Sequence, residues 1–129
     1  MATKNTVLIA DDDESMVRVL TVRCRNLGLE VTTAADGVAA RKLILKQRPD
    51  LLILDINMPG GGAFGVCQML AASKDLGRIP VIVLTGETDR NAMDKTRRFG
   101  AFYVPKSPYL WTTLKPMIGR WLNIPKAAS

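Results

Sequence analysis

Histidine is absent from the 129-residue chain, which removes the commonest general base near neutral pH and the commonest transition-metal ligand. Any chemistry here has to run on carboxylates, lysine, hydroxyls or a bound hard cation. Cysteine is scarce too: Cys24 and Cys67 are the only two, far apart and without metal-type spacing. A thiolate metal centre is thereby excluded, and a reduced, cytoplasmic protein without a disulfide is expected. The apolar runs, such as Leu51–Leu54 and Val81–Leu84, reach only strand length. No segment could span a bilayer, and the first residues do not resemble a signal peptide. Acids are in the minority, 12 against 18 lysines and arginines, for a formal net charge of +6. The basic residues are scattered, with no run longer than Arg41-Lys42 or Arg97-Arg98, so they read as a solvated surface, and direct nucleic-acid binding is not expected. The acids are not scattered. Four of the twelve form one run, Asp11-Asp12-Asp13-Glu14.

What is present is a βα alternation from end to end. Val7-Leu8-Ile9-Ala10, Leu51-Leu52-Ile53-Leu54 and Val81-Ile82-Val83-Leu84 are continuous apolar runs, as expected of strands covered on both faces. Glu30–Ala34 and Phe102–Val104 read as weaker strands. The first alternates polar residues and the second abuts Pro105, which places both at sheet edges. Helical patterns cover Ser15–Leu27, Asp36–Gln47 with Asp36 as N-cap, residues around Phe64–Ser73, and Asn91–Phe99. A final helix is expected with Ser107 as N-cap and Pro108 in its first turn, kinked or broken midway by Pro116. Five strands alternating with five helices give an α/β fold. The sheet is predicted to be doubly wound, parallel and flavodoxin-like, in the order 2-1-3-4-5 with right-handed crossovers.

In that order the switch point lies between the first and third strands, and ligands bind outside the carboxyl ends of the strands there. The strands end in Asp11-Asp12, Asp55, Thr85 and Lys106. Three carboxylates on one rim repel one another unless a cation neutralises them, and hard oxygens without histidine or thiolate favour Mg²⁺. A carboxylate in such a place can act as a nucleophile toward phosphorus. Mg²⁺, the Lys106 ammonium and the Thr85 hydroxyl can each take one phosphoryl oxygen, and no general base is required.

The segments VLIADDD, LLILDINMPG, VIVLTGETD and YVPK together resemble the receiver domains of two-component response regulators, over nearly the whole chain. The resemblance implies one receiver domain over residues 1–129, with a core of about residues 5–123. It identifies Asp55 as the phosphoacceptor and Asp11 and Asp12, with Asp55 and the backbone carbonyl of Asn57, as the Mg²⁺ ligands. Thr85 and Lys106 would contact the phosphoryl group, and Tyr103 would change rotamer with Thr85. Asn57 and Glu87 would flank the hydrolytic water, as the same Asn/Glu pair does in the single-domain chemotaxis receiver, and give a short-lived phosphoprotein. Such a domain is no conventional enzyme, but it catalyses its own Mg²⁺-dependent phosphorylation and dephosphorylation. Its implied partners are a sensor histidine kinase or histidine phosphotransfer protein, and a downstream target or an output domain absent from this chain.

The chain departs from the family at Lys106-Ser107-Pro108, where proline usually follows the lysine directly, and at Ala63, where glycine is common. Gly60-Gly61-Gly62 suggests an unusually flexible acceptor loop. Asp13 and Glu14 read as charges favourable to the first helix dipole, not as ligands. Three rival readings can be set against this one. Gly60–Gly65 matches G-x-G-x-x-G, but it starts several residues past the strand and not in the tight turn a dinucleotide site needs. A haloacid-dehalogenase-type phosphatase would need a second carboxylate where Asn57 stands. A receiver-like module could also bind partners without phosphorylation.

Overall fold

A computed structural model of the chain describes residues 5–86, 89–122 and 124. Strands β1 (Thr6–Ala10), β2 (Glu30–Ala34), β3 (Leu51–Asp55), β4 (Val81–Thr85) and β5 (Phe102–Pro105) alternate with helices α1 (Glu14–Asn26), α2 (Gly37–Lys46), α3 (Gly62–Ala71), α4 (Arg90–Arg98) and α5 (Leu110–Trp121). A short 3-10 turn at Leu76–Arg78 precedes β4. The strands are parallel, in the order β2-β1-β3-β4-β5, as the apolar runs predict. Every residue of β3 and β4 is buried, whereas Glu30, Thr32 and Thr33 of β2 are exposed at one edge.

Alternation along the central strands divides the interior into two cores. On one face Leu20 and Cys24 of α1 and Leu110, Leu114 and Ile118 of α5 pack on Val7, Ile9, Ile53 and Ile82. On the other, Ala40 and Ile44 of α2 and Val66, Cys67 and Leu70 of α3 pack on Leu8, Leu52, Leu54 and Val83. Trp111 and Trp121 lie against the first core, and Trp121 meets Phe102 of β5 at 4.9 Å between ring centroids.

Aspartates start three helices. Asp13 accepts from the Ser15 and Met16 N–H groups, Asp36 from Ala39 and Asp89 from Asn91 and Ala92, each satisfying amides that an α-helix leaves unpaired.

The cap expected of the last helix is corrected, and of the two effects expected of Pro116 the break is absent. Ser107 does not cap α5, which begins at Leu110. Its hydroxyl accepts from the Tyr109 N–H at 3.1 Å and its carbonyl from the Leu110 N–H at 3.0 Å. Residues 107–110 therefore form a turn before the helix, with Pro108 where a fixed φ favours such a turn. Nor does Pro116 break α5, which runs through it. Pro116 and Thr112, whose carbonyl would otherwise receive the missing N–H, are both exposed, so water can take the place of the lost bond.

Candidate functional site

Strand register brings the chemistry together. Ala10 pairs with Leu54, Asp55 with Leu84, and Thr85 with Pro105. The residues at or just past these positions, Asp11, Asp55, Thr85 and Lys106, therefore meet on one rim. Backbone bonds fix the rim further. The Lys106 N–H donates to the Thr85 carbonyl at 2.6 Å and the Ile56 N–H to the Leu84 carbonyl at 3.0 Å.

Asp11, Asp12 and Asp55 each offer an oxygen within 4.8 Å of the others. Asp11 and Asp55 are 2% and 4% exposed, whereas Asp12 faces solvent, so the cluster opens outward through Asp12. The Lys106 ammonium lies 2.9 Å from Asp11 Oδ2 and 3.4 Å from Asp55 Oδ1. This double contact is absent from the sequence reading, which assigns Lys106 only to the phosphoryl group. Asp11 Oδ1 accepts from the Asp13 N–H at 2.9 Å. Asp11 Oδ2 has the Lys106 ammonium as its close ionic partner and no other donor beside it among the described residues.

Burial pushes the Asp55 carboxyl above the usual carboxylate range, and the charge of Asp11 adds to the shift; Lys106 and a backbone hydrogen bond from Asn57 oppose it. Burial alone would lower the pKa of Lys106, but Asp11 and then Asp55 outweigh it and leave the lysine raised. The rim is thus short of positive charge. Clustered oxygen donors, whose inner carboxylate oxygen has a single lysine as its partner among the described residues, fit a small hard divalent cation.

Thr85 is buried at the end of β4. Tyr103 pairs with Val83 in register, so it shares a sheet face with Thr85, two residues on. It is half-buried, and its hydroxyl accepts a long bond of 3.5 Å from the Asp89 N–H at the cap of α4. The Asn57 side chain is exposed. Glu87 lies outside the described residues.

The loop after β3 has a defined left-handed path through its three glycines. Gly60, Gly61 and Gly62 have φ of 77°, 91° and 61°, and a Cβ on Gly60 would come within 2.9 Å of the Val38 nitrogen. Gly60 makes a close approach to α2, whereas a Cβ on Gly62 would meet the Ile56 carbonyl of the same loop, and all three positive φ values favour glycine. The Gly60 carbonyl is occupied by Arg41, and the Gly-rich segment is folded onto α2 instead of forming a strand-to-helix phosphate turn.

Residues 7–108 match the response regulator receiver domain family. The chain belongs to that family. It is 43% identical over 86 residues to the probable transcriptional regulator ycf27 of Galdieria sulphuraria, covering 67% of this chain and 32% of that protein. The receiver domain therefore spans about a third of the length of the curated relatives it matches. Among solved structures it is similar to the chemotaxis protein CheY4 of Vibrio cholerae, at 30% identity and a TM-score of 0.83, over 93% of this chain and 100% of that one. It is also similar to the receiver domain of the sensor histidine kinase PA1611 of Pseudomonas aeruginosa PAO1. That match has 25% identity and a TM-score of 0.81, over 92% and 98% of the two chains, and a magnesium ion is coordinated in the active-site cleft of that protein.

Proposed function

We propose that this receiver domain is a phosphoacceptor switch in which Asp55 takes a phosphoryl group from a phosphohistidine of a sensor kinase or phosphotransfer protein. A carboxylate oxygen of Asp55 bonds to phosphorus, the P–N bond of the phosphoimidazole breaks, and the released imidazole nitrogen keeps the electron pair and takes up a proton. The observation that carries the reading is the convergence of Asp11, Asp12, Asp55 and Lys106 on one rim.

Asp11, Asp12, Asp55 and the Asn57 carbonyl are the proposed ligands of Mg²⁺, a choice supported by the all-oxygen donor set and by the ion in the PA1611 receiver. Bound there, Mg²⁺ supplies neutralisation of the charge on the phosphoryl oxygens. Lys106, now between Asp11 and Asp55, is within reach of a group on Asp55 and provides a second positive charge. The Thr85 hydroxyl provides a donor. Its movement toward the phosphoryl oxygen, followed by Tyr103, is the proposed shift between two pre-existing states. Asn57 and Glu87 are proposed to flank the attacking water and keep the phosphoryl group short-lived.

The domain, with a core over about residues 5–123, would act in the cytoplasm and pass its state to a protein target or an output domain. No helix among the described residues is long and apolar enough to cross a membrane. Direct nucleic-acid contact by this domain is not proposed. Its relatives' names include transcriptional regulators, but the matched stretch covers only 32% of such a protein.

The test is incubation with Mg²⁺ and a small-molecule phosphodonor, followed by intact-mass measurement. One phosphoryl adduct is expected on the wild type and none on Asp55→Asn. An unmodified wild type, or an equally modified variant, would sink the proposal.

A further inference from the structure

The acceptor loop between β3 and α3 carries the Asn57 carbonyl, yet its own sequence does little to hold it. Three successive left-handed glycines follow, and such residues give up much conformational freedom on ordering. Besides the backbone bond from Asn57 to Asp55, the restraint on the loop's glycine end comes from α2. The Gly37 N–H donates to the Pro59 carbonyl at 2.8 Å. The Arg41 guanidinium, one turn further along α2, donates through Nη1 to the Gly60 carbonyl at 3.0 Å. The same nitrogen would lie 3.4 Å from a Cβ on Gly61 and 3.0 Å from one on Gly65. The guanidinium thus occupies the space that those glycines leave along the start of α3.

At its other end the loop is pinned by the Ile56 N–H on the Leu84 carbonyl. Asn57 and Met58 bridge the two anchors, and Met58 is buried. We propose that Arg41 is a positioning residue for the divalent-cation site, clamping the acceptor loop through the Gly60 carbonyl so that the Asn57 carbonyl keeps its place beside Asp55.

The role rests on the Mg²⁺ site proposed above, and it has a property that separates it from simple electrostatics. Arg41 is a positive charge on the helix that packs against the loop carrying Asn57. Coulomb repulsion alone would make its removal strengthen cation binding. A clamp predicts the opposite, because Mg²⁺ demands near-ideal octahedral geometry and tolerates a misplaced ligand poorly.

The experiment measures the Mg²⁺ dissociation constant of the intact chain by calorimetric titration without phosphodonor. The variants are Arg41→Met, which keeps length but has no donor, Arg41→Lys, and Lys42→Met. Lys42, on the same turn of α2, is exposed and controls for lost charge. Arg41→Met is expected to bind roughly three- to tenfold more weakly, the scale of one lost hydrogen bond at an exposed position. Arg41→Lys, which keeps a donor and the charge, should lie between it and wild type, and Lys42→Met should bind no more weakly than wild type. Amide hydrogen exchange within residues 57–62 should quicken in Arg41→Met while exchange in β3 stays as in wild type. That comparison also covers a variant whose fold is loosened as a whole, since β3 would then exchange faster too and the local clamp would be refuted. Binding by Arg41→Met equal to or tighter than that of Lys42→Met would overturn the role of Arg41 alone. A wild-type protein that binds no Mg²⁺ would instead overturn the metal site and this role with it.

Discussion

Lys106 carries two duties that pull in different directions. Without a cation it is the close positive partner of Asp11 and Asp55, both nearly buried. Removing one partner of a buried ion pair costs more than the pair contributes, because it strands a charge. Lys106→Met should therefore destabilise the Mg²⁺-free domain by about 3 kcal/mol, toward the low end for buried pairs since the lysine is partly solvated. Saturating Mg²⁺ should recover most of that loss by supplying the missing charge. Urea unfolding with and without Mg²⁺ checks this, and an equal loss under both conditions would count against Lys106 as the counter-ion of the cluster. At this scale Asp11, Asp55, Thr85 and Lys106 were legible in the sequence because each stands at or just past the end of an apolar run. The register of parallel strands converts those endings into neighbours. The pairing of Lys106 with Asp11 was not legible, since it depends on which charges face each other once a rim has formed. Arg41 was hidden for a related reason. It acts across 19 residues on a carbonyl, and a backbone oxygen leaves no signature in a sequence.

Among elements, the run Asp11-Asp12-Asp13-Glu14 divides its work within four residues. Asp11 and Asp12 belong to the rim, while Asp13 turns back to accept from Ser15 and Met16 at the start of α1, and Glu14 lies in the first turn where the helix dipole favours an acid. Asp13→Ala should cost about 1 kcal/mol in unfolding free energy, as capping losses do. It should leave the Mg²⁺ dissociation constant within about twofold of wild type, a tolerance set by the small energy of remote exposed charges. A tenfold weakening would make Asp13 part of the metal site after all. Helix starts and strand ends were thus readable to within a residue or two at most positions, because caps and apolar runs are local signals. The exception is instructive. At Ser107-Pro108 the same residue types can cap a helix or close a turn, and the choice falls to where Leu110 must sit to enter the core beneath α5.

For the whole molecule the consequential fact is that both cores share one sheet. Alternate residues of β1, β3 and β4 face opposite cores, so neither layer of helices can leave without exposing strands on which the other depends. Cys24 lies in the first core and Cys67 in the second, which places one buried thiol on each side. Burial pushes both thiols up to about 11 from an ordinary 9.0, and a protonated, shielded thiol is a poor nucleophile. Single-cysteine variants, Cys24→Ala and Cys67→Ala, labelled with a thiol reagent at pH 8, should therefore react only through opening of the fold. After correction for each variant's stability, the two remaining thiols should show the same protection, equal to the global unfolding free energy. The same shifts give a pH dependence of defined sign. The unfolded chain releases these protons near 9.0 and the folded chain only near 11, so the thiols take stability away as pH rises between those values, on the order of 1 kcal/mol each by about pH 10. The double Cys→Ala variant should lose correspondingly less stability between pH 8 and pH 10 than the parent. Protection that differs between the two sites by more than about tenfold, or 1.4 kcal/mol, would mean that one helical layer opens alone. The shared sheet would then not couple its two faces, and a change at Asp55 could reach one helical layer without the other.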